Sequence, residues 1–207
     1  MGQVFTPQGI SDTMEPRVVM LYFDFGVYER FKTRIRQLYL KDTDKNKGVF
    51  SKATYLSLLD KSQKLKDVIK KVMKQIDQKD RNSLVLSERI NLLETCIENL
   101  SEGSYGLLSG TLKQKELERV LLQRIILGTY QKGRDGLDVK RLDTLVFLTP
   151  PSNLEQAVGR IVRTDNDKLQ PVVIDVVDKG CKDMLDRASY RKRFYENKGW
   201  KIEEKHI

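Results

Sequence analysis

The stretch ILGTYQKGRDGLDVKRLDTLVFLTPPSNLEQAVGRIVR, Ile126–Arg163, holds the reading of this chain. A short aliphatic run, Arg124–Leu127, opens into the Gly-rich turn Gly128–Val139. A second run, Thr144–Leu148, stops at Pro150-Pro151, and Leu154–Val162 then reads as a helix. Strand, turn, strand and helix at these lengths point to a parallel sheet, because parallel neighbours need a crossover between them.

The same alternation extends outward. Arg17–Phe25 is a β-branched and aromatic run and reads as a largely buried strand. Lys61–Asp80 is a helix, with Leu65, Val68, Ile69, Val72, Met73 and Ile76 stepping by three and four onto one face. Its lysines, Lys64, Lys66, Lys70, Lys71 and Lys74, sit off that stripe and read as a solvated outer face, with nucleic-acid binding as the alternative. Ser83–Leu86 leads into a helix around Arg89–Leu100, and Tyr105–Leu108 into Lys113–Leu122. Val172–Val177 follows as a further strand, and Met184–Trp200 as a closing amphipathic helix.

The expected fold is therefore α/β, a parallel sheet covered by helices on both faces, with binding loops at the carboxyl ends of the strands. Residues 1–16 read as a flexible leading segment and 17–207 as one domain. Within it, 26–60 reads as a helical insertion and 178–207 as a helical tail.

A net charge of +9 over 207 residues favours a polyanionic partner, since lysine and arginine gain by displacing counterions from phosphates. Two cysteines, Cys96 and Cys181, are too few for a disulfide framework or a zinc site and fit a reducing compartment. The single histidine, His206, argues against histidine-based catalysis, and no metal ligand set is expected. Neither a long apolar run nor a signal pattern is present, so no membrane is expected and the cytoplasm is the expected location.

Two patterns carry chemistry. In QAVGRIVR, Gln156, Gly159 and Arg160 fall within about one helical turn and Arg163 one turn further. Arginine suits an anion because its charge is permanent and its donors fork onto phosphate oxygens. By itself this pattern also fits a surface helix with ordinary arginines. In the turn, Gly128, Gly133 and Gly136 offer backbone amides to a phosphate, Thr129 adds a hydroxyl, and Asp138 can accept from a ribose or an arginine. The bland alternative is that Gly133 and Gly136 fill positive-φ turns.

These two segments, in this order and spacing, resemble the fifth and sixth motifs of superfamily 2 helicases. LVLSERINLLETCIENL (Leu84–Leu100) resembles the fourth motif, and GLLSGTLKQKELE (Gly106–Glu118) the strand and Ser-Gly turn of viral and phage members, including the poxvirus transcript-release helicase and large DNA virus relatives. The resemblance runs from about Lys61 to Val177 and implies the second, RecA-like domain of such a motor. It implies that Arg160 and Arg163 reach the γ-phosphate across a domain cleft, with Arg163 favoured as the arginine finger. Gln156 would couple that site to the domain, while Gly136, Asp138 and Gly159 would contact the nucleotide or brace the arginines. Ser87, Ser109, Gly110, Thr111, Thr129 and Tyr130 would face the nucleic acid, single- or double-stranded, with DNA favoured over RNA. If the chain is viral, the host cytoplasm or virion is the implied location.

The sequence contains neither a phosphate-binding loop of the G-x-x-x-x-G-K-[ST] kind nor an Asp-Glu pair for magnesium. ATP with Mg²⁺ therefore requires an N-terminal RecA-like domain of the same polypeptide, and the chain alone is expected to be inactive. The alternative is a stand-alone, ATPase-dead module that binds nucleic acid or a partner.

Overall fold

In chain order the elements are β1 (Arg17–Phe23), α1 (Lys52–Leu59), α2 (Gln63–Gln78), β2 (Ser83–Ser87), α3 (Ile90–Ile97), β3 (Tyr105–Leu108) and α4 (Gln114–Leu122). They continue as β4 (Ile125–Thr129), α5 (Tyr130–Arg134), β5 (Thr144–Phe147), α6 (Leu154–Val158), β6 (Val172–Asp178), α7 (Lys182–Asn197) and β7 (Ile202–His206). The structure, a computed structural model, describes residues 13–26, 52–78, 81–134, 138–151, 153–164 and 168–207. The leading dozen residues, most of the basic stretch that follows β1, and Gly136 lie outside the described residues.

The strands form one seven-stranded sheet in the order β3-β4-β2-β5-β6-β1-β7. Every neighbouring pair is parallel. This is the RecA-like arrangement, and both faces are covered as a parallel sheet requires. Strand side chains alternate between two cores. Val85, Leu127, Val146 and Val176 face one core with α1, α2 and α3. Leu84, Ile126, Phe147 and Val173 face the other, where residues of α4, α5, α6 and most of α7 pack.

The apolar stripe of α2 accounts for its placement. Leu65, Val68, Ile69, Val72, Met73 and Ile76 are all buried, each worth about 1.5–3 kcal/mol relative to exposure. Arg124 at the start of β4 donates to the Ile76 and Asp77 carbonyls at 2.9 and 3.1 Å and fixes the far end of this helix. On the opposite face, α7 crosses β6, and Arg191 and Tyr195 reach down to Asp175 in the sheet.

The tail differs from the sequence reading. Its helix stops at Asn197, where Gly199 adopts φ 74° and the amides of Gly199 and Trp200 bond back to Glu196 and Tyr195 at 2.9 and 3.1 Å. That double bond with a left-handed glycine is a Schellman stop. The chain then forms β7, which pairs with β1 from Val18↔Ile202 to Tyr22↔His206. The segment IEEKH hides this role because an edge strand can leave most of its side chains in water.

The Gly-rich turn also differs. Gly128 lies inside β4, in register with Leu86 and Leu108, and Gly133 lies inside α5. Neither has a positive φ. Gly133 serves close packing instead, since a Cβ there would come within 2.7 Å of Leu86 Cδ2. The helix read over Leu154–Val162 is regular only to Val158, after which the amides of Arg160 and Ile161 make tighter bonds to Ala157 and Val158.

Candidate nucleotide and nucleic-acid site

The carboxyl ends of β2, β4 and β5 lie side by side, and Ser87 and Thr129 are register partners there. Thr149, just past β5, ties the three ends together. Its Oγ1 accepts from the Glu88 amide at 2.9 Å, and its carbonyl accepts from the Tyr130 hydroxyl. The Tyr130 ring leans on Phe147, with centroids 6.2 Å apart, and burial pushes its phenol up. Lys52 at the start of α1 pairs with Glu88 and closes this corner.

Above it stands α6. Asn153 caps the helix by accepting from the Gln156 amide at 3.0 Å. Leu86, Tyr130, Gly133, Asn153, Gln156, Ala157 and Arg160 line a small cleft between α5 and α6. Gln156 and Arg160 therefore open onto one space, with Gly159 as the last residue of the helix cap between them. Arg163 lies outside that cleft. Its backbone bridges Thr13, and its guanidinium meets the Asp138 carboxylate at 2.5 Å. Both side chains are more than half exposed. Lys168 donates to the carbonyls of Arg163 and Lys140 at 2.8 and 3.1 Å and holds the two segments together.

The residues that the resemblance assigns to nucleic acid occupy different settings. The Ser87 hydroxyl is fully buried and exchanges 3.0 Å bonds with the peptide of Arg89, so it shapes the β2–α3 turn. Thr129 accepts from the Lys132 amide at 3.4 Å and starts α5. Tyr130 points its hydroxyl inward. Ser109, Gly110 and Thr111 follow the edge strand β3, with Gly110 at φ 57° and both Gly110 and Thr111 exposed. The sequence reading missed Asn153 and Thr149. For Asn153 a signal was present, because Asn followed three residues later by Gln opens many helices.

A guanidinium and a glutamine side chain that open onto one cleft suit an anion held from one side, and Arg163 stands apart from them on Asp138. An arginine in such a place is chemically suited to phosphate oxygens, which its donors meet in a fork. No three His, Cys, Asp or Glu side chains gather as a metal site among the described residues. The described residues therefore offer no ligand set that fits magnesium. No helix among the described residues is long and apolar enough to cross a membrane.

The family "Helicase conserved C-terminal domain" matches residues 60–165, just over half of the chain. A candidate ATP-dependent RNA helicase of Acanthamoeba polyphaga mimivirus is 26% identical over 202 residues, covering 95% of this chain and 38% of its own. A similarly named protein of African swine fever virus (Kenya isolate) is 31% identical over 130 residues, covering 58% of this chain and 25% of its own. The chain thus spans well under half the length of these relatives. Among solved structures, T4 UvsW superposes over 100% of this chain and 44% of its own with TM-score 0.66 and 16% identity. The C-terminal domain of the DEAD-box protein Dbp5 covers 69% of this chain and 82% of its own, at TM-score 0.53 and 15% identity. Those likenesses bear on the fold, whereas the family match spans the residues of the site itself: this chain belongs to the helicase conserved C-terminal domain family.

Proposed function

We propose that this chain is the C-terminal half of an ATP-dependent superfamily 2 helicase or translocase. Its ATP site is shared with an N-terminal RecA-like domain elsewhere in the same polypeptide. One observation carries the reading: Gln156 and Arg160 open onto one cleft, and Arg163 stands beside it, braced by Asp138. Arg163 serves as the arginine finger. Its exposure and its carboxylate brace leave a charged donor presented outward, where a second domain would bring a phosphate. Such a finger stabilises charge on the transferring phosphoryl group and is worth about 10³–10⁵ in rate.

The other domain holds the magnesium and the bulk of the nucleotide. The nucleic acid lies across the carboxyl ends of β2, β3 and β4, where Ser109, Gly110, Thr111 and Thr129 meet its backbone. Backbone contacts suit a motor that must step along any sequence. The names of the mimivirus and swine fever virus relatives speak of RNA, so the strand is to be tested as RNA and DNA alike.

The test is ATP hydrolysis with and without single-stranded RNA or DNA, on this chain alone and on the longer polypeptide. A silent chain and a strand-stimulated longer protein are expected. Absence of hydrolysis by both would favour the second reading, a stand-alone module that binds nucleic acid or a partner. The absence of a phosphate-binding loop from the sequence is the observation in favour of that reading.

A further inference from the structure

Helix α2 carries Lys64, Lys66, Lys70, Lys71 and Lys74 opposite its buried stripe, with all but the half-buried Lys66 exposed. A solvated helix normally neutralises such a face with carboxylates three or four residues away. Here α2 carries two acids, Asp67 and Asp77, against five lysines. Asp67 accepts from Gln63 at 3.1 Å, and Asp77 is held by Arg124 at 2.6 Å and by the Ser101 hydroxyl at 2.6 Å. None of the five lysines enters an ion pair among the described residues.

The charges also stand in mutual opposition. Lys66 and Lys70, and Lys70 and Lys74, are four apart, while Lys71 and Lys74 are three apart, spacings at which like charges destabilise a helix. The macrodipole does not compensate, because the last turn of α2 holds no basic residue. Asp67 stands three residues from Lys64 and Lys70 and four from Lys71, so one carboxylate is set against several ammonium groups and the face keeps a large excess of positive charge.

The row has a definite place in the fold. Its far end is fixed at the amino end of β4 by Arg124. Its near end lies at the strand carboxyl ends, where Arg89 beyond β2 pairs with Asp60 at 2.7 Å and Lys64 approaches Gly26 beyond β1. From Lys64 to Lys74 the helix rises about 15 Å, long enough to follow several phosphates of one strand.

We infer that the outer face of α2 is a nucleic-acid backbone site, separate from the cleft of Gln156 and Arg160, which holds a strand as it leaves the carboxyl ends of the sheet. The inference rests on the reading of the chain as part of a nucleic-acid motor. Its chemistry is Coulombic, with ammonium groups replacing counterions on phosphates and no base read.

The test is binding of 15-nucleotide oligo-U and oligo-dT to this chain across a salt series. The wild type is compared with the triple variant Lys70→Gln, Lys71→Gln, Lys74→Gln. A control with equal charge loss on α7, Lys182→Gln, Arg187→Gln, Arg193→Gln, removes the effect of net charge. With a slope near −0.7 per contact for single strands, the α2 variant should be shallower by about 2 in log affinity against log salt. The control should keep most of the wild-type slope. The α2 variant should melt close to the wild type, since it changes exposed side chains that enter no ion pair among the described residues. Equal slope changes in both variants would reduce the effect to bulk charge and overturn the inference. An unchanged slope in the α2 variant, or no strand binding by the wild type, would also overturn it, leaving the face to an acidic protein. Hydrolysis by the longer polypeptide tests the motor reading independently.

Discussion

Arg191 grips Asp175 through two nearly parallel bonds, Nε to Oδ2 at 2.7 Å and a terminal nitrogen to Oδ1 at 2.9 Å, with both side chains at 5% exposure or less. The pair locks α7 onto β6, and Tyr195 adds a third bond to the same carboxylate at 3.1 Å. Replacing Arg191 with leucine strands a buried carboxylate and should cost about 3–5 kcal/mol. Replacing both members with leucine should recover much of that loss. Urea unfolding of the two variants decides between these outcomes. A double variant as unstable as the single one would mean that the pair itself, rather than the orphaned charge, carries the stability.

Arg163→Ala in the longer polypeptide should cut ATP turnover by about 10³ or more while leaving strand affinity near the wild-type value. The same change should barely alter stability, because an exposed pair such as Arg163–Asp138 contributes about 0–1 kcal/mol. Steady-state hydrolysis and strand binding measured on one preparation check both halves. Parallel losses in the two would argue against a finger.

Gly133→Ala pushes a methyl into Leu86 and should destabilise the domain by about 1–3 kcal/mol. Adding Leu86→Val should relieve the clash and raise the melting temperature of the double variant above that of the single one. If Gly133→Ala melts like the wild type, close approach of α5 to β2 is not the reason for the glycine.

Asp178 sits at the end of β6 and accepts from the Tyr55 hydroxyl at 2.7 Å and from the amides of Gly180 and Phe25 at 2.9 and 3.1 Å. Burial raises its pKa above the ordinary value, and these three bonds pull against that rise. An unfolded aspartate ionises near pH ~3.9, before the folded one does. The contribution of Asp178 to stability is therefore full below that pH and declines as pH rises through the folded pKa. Relative to Asp178→Asn, the wild type should lose stability on going from acid toward neutral pH. Denaturant midpoints of both proteins across that range test the sign, and a wild-type gain would refute it.

Much of this fold can be read from side-chain period. The six apolar residues of α2 are the six that are buried, and the span read for β3 coincides with the strand, because one-sided burial leaves a period in the sequence. The site is only partly legible for the same reason. Ser87 and Tyr130 belong to segments that resemble nucleic-acid motifs. Which way a hydroxyl points is decided by the neighbouring turn, here Arg89 for one and Thr149 for the other. Gly133 was ambiguous because glycine signals either a left-handed turn or a close neighbour, and only the position of Leu86 distinguishes them. The lysines of α2 are plain in the sequence, but that none of them enters an ion pair among the described residues emerges only from the fold, where Asp77 is taken by Arg124.

The pairing of β1 between β6 and β7 has a consequence for synthesis. β1 leaves the ribosome well before its neighbours and gains them only when residues 172–178 and 202–206 have followed. Closure of this side of the sheet is thus deferred to the end of translation of this region, and pairings this distant in sequence form slowly. Until then Val18, Met20 and Leu21, which the finished sheet buries, stand on an open strand that is prone to wrong pairings.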